Sequence, residues 1–210
     1  MSTFAMHVAK TGLNSQQIKM QVIANNLANV NTTGFKSDRT NFESLLYQVL
    51  RGAGENTSEN TSLASGLSVG TGTRLLNTSK LHTQGSLINT GNSLDVSIEG
   101  DGFFQILMPD GQIGYTRSGA FMRNSEGTVV TPSGYPLQPE IQIPADTSTI
   151  TVASDGIVTV QVPGDVAAQE VGQITLADFV NRQGLQPNGE SMFVETPASG
   201  RSEERRVGKE

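Results

Sequence analysis

"ANNLANVNTTGFK", residues 24–36, sets four asparagines and a glycine directly behind a run that reads as helix. Asparagine side chains compete with the helical backbone for hydrogen bonds, and glycine adopts left-handed caps without steric cost, so both residues favour turns over helix interiors. The stretch therefore predicts a helix end, with Gly34 in a left-handed or turn conformation and Phe35 folding back as an apolar anchor. Asn25, Asn26, Asn29, Gly34 and Phe35 form the candidate joint between this helix and the rest of the chain.

Upstream of the joint, Met6, Leu13, Met20 and Leu27 recur every seven residues, and Ala9, Gln16, Ile23 and Val30 make a second row offset by three. This is an a/d heptad pattern. Phe4, Val8, Ile18 and Val22 lie outside the seam and widen the apolar surface, which suits contact with more than one neighbouring helix. Two readings follow: a core helix packed on its own domain, or a helix covered by other copies. A helix of about 30 residues is about 45 Å long, longer than a small domain is wide, and isolated helices depend on packing for stability. Assembly is therefore the favoured reading, with Met6, Leu13, Met20, Ile23, Leu27 and Val30 as the subunit-packing residues.

Downstream, "NFESLLYQVLRG" places Phe42, Leu45, Leu46, Val49 and Leu50 on one helical face, which predicts a second, short helix ending at Gly52. Residues 53–72 are rich in Gly, Ser, Thr and Asn, a composition of loops or extended structure expected to order in a complex. Beyond Thr73 the pattern becomes one of short strands. "FFQILMPDGQIGYT" and "TITVASDGIVTVQV" each flank an Asp-Gly pair with apolar runs, the hairpin signal. Further strands are expected at Asp95 to Ile98, Thr128 to Thr131, Gly172 to Leu176 and Met192 to Glu195, with Pro136, Pro139 and Pro144 at edges or turns. The fold class is α+β: a long N-terminal helix, an extended linker or hairpin segment, then an antiparallel all-β domain. The expected divisions are 1–36 for helix and joint, 37–72 for short helix and extended stretch, 73–200 for the β domain, and 201–210 for a charged tail.

Composition narrows function. A net charge of -6 argues against nucleic acid, whose phosphates demand clustered Lys and Arg. The absence of cysteine removes disulfides, thiolate metal sites and a cysteine nucleophile. The N-terminus lacks the apolar run of a cleavable signal, and no segment reaches the roughly 20 apolar residues that span a bilayer. His7 and His82, the two histidines, have no second ligand at metal spacing. Asp95, Glu99 and Asp101 sit in a turn-like context, "SGLSVGTGTRL" lacks phosphate-loop spacing, and the sequons at Asn31, Asn56, Asn60 and Asn77 follow from Asn/Thr-rich composition. No catalytic residue, metal or cofactor is expected.

"ANNLANVNTTGFK" closely resembles the signature of bacterial flagellar rod and hook subunits. The run from Phe42 to Arg74 is similar to the extended stretch that marks the distal rod member of that family, and the likeness continues through "LHTQGSLINTGNSLDVSIEGDGFFQILMPDGQIGYTRSGAF" and "VGQITLADFVNRQGL". The resemblance implies a structural subunit of the basal-body rod in the periplasm. It would be exported by the flagellar type III apparatus and polymerise with itself beside other rod, hook and ring proteins, transmitting torque from motor to hook. It also implies a C-terminal partner helix for the first helix, missing from residues 1–210. "RSEERRVGKE" at 201–210 carries seven charges and reads either as a solvated tail or as a foreign scar. Alternatives are a related hook or proximal rod subunit, or, from another class, a secreted β-rich adhesive module on a helical oligomerisation stalk.

Overall fold

In a computed structural model, residues 2–54, 56–58, 61–62, 64–164 and 167–206 are described. Asn60 and the last four residues of the charged tail lie outside them. The chain divides into two compact units, one of Met1–Val30 with Ser37–Leu81, the other of Asn31–Lys36 with His82–Glu210.

The first unit opens with helix α1, Ser2–Ala28, 27 residues and thus about 40 Å long. It stops where the asparagines begin to dominate: the Asn29 amide still reaches the Asn25 carbonyl at 3.1 Å, and Val30, expected inside the helix, falls just beyond it. Next come β1 (Asp38–Ser44), β2 (Tyr47–Arg51), β3 (Asn56–Ser58), β4 (Thr61–Ser62), β5 (Leu67–Gly70) and β6 (Thr73–Lys80). They pair in nested order, β1 with β6, β2 with β5 and β3 with β4, as one long antiparallel ribbon.

The short helix expected from Phe42 to Leu50 is therefore two strands. Its apolar spacing fitted one helical face, but Thr40, Phe42, Tyr47 and Val49 favour extended backbone, and β5 and β6 supply their ladder partners, with irregularities at Asn41/Phe42 and Val49/Arg51. The expected division at 72/73 falls within the ribbon, because β6 pairs with β1.

The second unit contains β7 (Phe103–Leu107), β8 (Ile113–Thr116), β9 (Met122–Arg123), β10 (Val129–Val130), β11 (Leu137–Gln138), β12 (Thr149–Val152), β13 (Ile157–Gln161), β14 (Gln169–Gln173) and β15 (Thr175–Asp178). A 3-10 turn at Arg182–Gly184 leads to β16 (Gln186–Gly189), β17 (Met192–Val194) and β18 (Glu203–Arg206). The largest sheet runs β16-β17-β8-β7-β15-β18, with β11 also on β7; β12-β13-β14 form a second sheet. Both Asp-Gly pairs sit in hairpin turns, Gly111 at φ 78° and Gly156 at φ 79°, and each aspartate accepts a bond from the amide two residues on. At Asp95 to Ile98 there is no strand, only a bridge from Asp95 to Ala120. The tail contributes main chain to β15 as an edge strand.

Burial of large side chains holds this unit together. Phe104, Phe121, Leu137, Ile141, Val158 and Val160 form one core cluster; Phe103, Tyr115, Phe179 and Phe193 form another. Their rings meet edge to face, Phe104 with Phe121 at 5.1 Å and Tyr115 with Phe179 at 4.7 Å, the arrangement that ring quadrupoles prefer.

Candidate assembly surface

Helix α1 has two faces of different fate. Val8, Thr11, Ser15, Ile18, Val22 and Asn26 are spaced by three and four and are at least partly covered. This is the side that packs on β1 and β6. Polar contacts fix it near its middle and near its C-terminal end. Ser15 Oγ lies 3.0 Å from Thr73 Oγ1, and the Asn26 side chain donates to the Asp38 carbonyl at 2.8 Å while accepting from the Asp38 amide at 2.9 Å. Asn26 of the joint thus clamps the start of the ribbon.

The heptad residues are elsewhere. At about 100° per residue, Met6, Leu13, Met20 and Leu27 fall roughly opposite the covered face. They are 69%, 73%, 67% and 71% exposed, and Ile23 and Val30 are exposed as well. Lys10 and Lys19 are the only residues of the helix that carry a full charge, although a solvated helix surface is normally rich in them. An exposed apolar ridge with so few charges around it departs from an ordinary solvated helix face.

The ribbon presents a second such surface. Leu46, Tyr47, Val49, Leu50 and Leu67 are all exposed, and no residue of β2 is covered. Two-stranded ribbons are marginal in water without a third element against them. The sequence reading assigns Leu46, Val49 and Leu50 to a short helix and Leu67 to the loop-like stretch, so it does not bring them onto one surface.

Asn25 and Asn29 stay with the helix, the Asn29 side chain donating to the Asn25 carbonyl at 3.0 Å, whereas Gly34 and Phe35 belong to the second unit. Gly34 adopts φ 71° against the Arg117–Ser118 main chain, where any Cβ would collide, and Lys36 Nζ donates to the Thr83 carbonyl at 2.8 Å. Phe35 is half-buried.

Comparison with known proteins matches residues 6–36 to the flagella basal body rod protein family and residues 97–160 to the D1 domain of flagellar hook proteins FlgE/F/G. The flagellar basal-body rod protein FlgG of Buchnera aphidicola subsp. Acyrthosiphon pisum is 50% identical over 196 residues, 93% of this chain and 75% of that protein. The chain belongs to the FlgG family of flagellar basal-body rod proteins. FlgG of Agrobacterium fabrum is 44% identical with the same coverage, and that of Bacillus subtilis 36% identical over 90% of this chain and 72% of its own length. The protein is a structural component of the flagellar basal body, and its FlgG relatives are rod proteins rather than enzymes. The adhesive-module alternative is not favoured. The α1 ridge and joint lie within the rod-family match and the second unit's two Asp-Gly turns within the D1 match, while the ribbon lies between the two. No described helix is long and apolar enough to cross a membrane.

Proposed function

We propose that the chain is a repeating subunit of the distal flagellar rod, a helical homopolymer that acts as a rigid drive shaft from motor to hook. The α1 ridge is covered by helices of sister subunits, the ribbon braces an adjacent copy, and the β unit meets ring and hook proteins. The chain reaches this position through the flagellar export apparatus. A polymer that grows by a repeated head-to-tail contact needs different surfaces on its two sides, and the ridge and ribbon supply two distinct apolar surfaces.

The observation that carries this reading is the exposure of the heptad ridge in a subunit whose helix already has a covered face. Burying an apolar side chain stabilises by about 1.5–3 kcal/mol, so six positions more than half exposed hold several kcal/mol that contacts within residues 1–210 do not supply. A photo-crosslinking residue in place of Leu27, introduced in motile cells, tests it. The expected product is a ladder of covalent multimers of this chain. Adducts confined to the monomer would contradict the proposal.

A further inference from the structure

The β16–β17 hairpin carries the only Asn-Gly pair in residues 1–210, Asn188–Gly189. β16 is the outermost strand on its side of the large sheet, and all four of its residues are exposed. The register jumps between Pro187, opposite Phe193, and Gly189, opposite Met192, so Asn188 has no cross-strand partner and sits in a bulge. The rung that follows closes a strained turn. Glu190 and Ser191, at φ 49° and 58°, hold the two central positions, where left-handed backbone favours Asn and Gly over residues with larger side chains. A strained turn at the end of an exposed edge strand belongs to the part of a fold that opens most readily.

The side chain of Asn188 is loosely held. Its hydrogen bond among the described residues goes to the Met108 sulfur at 3.6 Å, a weak acceptor. Other asparagines are tied to main chain, and each precedes a residue with a side chain. Asn26 clamps Asp38, Asn124 accepts from the Glu126 and Thr128 amides, and Asn181 donates to the Ala198 carbonyl. Gly189, at φ 85°, has open space where a Cβ would stand, so neither a side chain of its own nor a neighbour crowds its nitrogen from that side.

We propose that Asn188 is a self-modification site, where attack by the Gly189 main-chain nitrogen on the side-chain amide converts the residue to aspartate and isoaspartate without an enzyme. The nitrogen loses its proton to a base in the solvent as its bond to Asn188 Cγ forms. The bond from Cγ to Nδ2 then breaks, and Nδ2 takes a proton from the solvent and leaves as ammonia. A cyclic succinimide remains. Water adds to either imide carbonyl and opens the ring, giving aspartate by one route and isoaspartate by the other. The net change is one water in and one ammonia out. Either product sets a carboxylate beside Glu190, and the isoaspartyl form also lengthens the main chain of the edge strand by a methylene.

The test incubates the purified whole chain at 37 °C and pH 8, folded and in urea, and follows each asparagine by peptide mass spectrometry with separation of the isoaspartyl form. In the folded chain Asn188 should convert at least tenfold faster than any other described asparagine and within tenfold of its own rate in urea. Isoaspartate should accompany aspartate, and the rate should fall at pH 6, because the attacking nitrogen must lose its proton. A rate short of either bound, aspartate without isoaspartate, or a rate that does not fall at pH 6 would overturn the proposal.

Discussion

Leu13→Asp separates folding from assembly. Leu13 is 73% exposed on the ridge, so covering it in a polymer removes most of a leucine side chain from water, a gain of about 1–2 kcal/mol per copy. Aspartate forfeits that gain and brings a carboxylate whose unpaired burial costs more still. A combined penalty of about 3 kcal/mol per subunit raises the concentration needed for growth about a hundredfold, since each 1.4 kcal/mol is a factor of ten. In the free chain the same change is mild. The side chain already stands in water, and exposed substitutions cost about 0.5 kcal/mol, with at most about 0.7 more from helix propensity. Cells carrying only the Leu13→Asp protein should lack complete rods by electron microscopy and should not swim, while the purified variant unfolds within a few degrees of the parent. Leu13→Met should retain both properties. Normal swimming by Leu13→Asp cells would refute the reasoning.

Two further substitutions probe the folded units themselves. A Cβ at Gly119 would lie far inside contact distance of the Val96 carbonyl, whose own amide bonds to Gly119 at 2.9 Å, so Gly119→Ala should cost about 3 kcal/mol or more; an unchanged urea midpoint would show that the main chains are not this close. Asn26→Ala deletes both bonds to the Asp38 main chain and should cost about 1–3 kcal/mol while speeding amide exchange at Asp38; unaltered exchange there would remove Asn26 from the clamp.

Local signals were readable where they act locally. Asp-Gly at 110–111 and 155–156 marks two turns directly, and the helix ends among the asparagines because their side chains and Gly34 change the local preference. The turns at Asn124–Thr128 and Thr131–Tyr135 share the same pair of main-chain bonds, with glycine fourth of five, but lack the Asp-Gly dipeptide and so gave a weaker signal. Between Phe42 and Leu50 the reading failed for a non-local reason. Apolar residues spaced by three and four serve a helix, yet strands 19 to 33 residues later, as in Val49 with Ser68 and Phe42 with Leu75, offer hydrogen bonds that periodicity cannot reveal. On α1, the heptad residues were legible, but the covered face includes Thr11, Ser15 and Asn26, polar residues whose partners lie on the ribbon and at its start.

The most direct test of the ridge uses the absence of cysteine from the chain. Met20→Cys gives a single thiol at a position 67% exposed in the subunit, available to a maleimide. If sister helices cover the ridge, the purified subunit labels rapidly and the same residue in isolated basal bodies labels at least tenfold more slowly. Equal labelling in both would mean that the ridge stays in water and that the rod is held together by other surfaces.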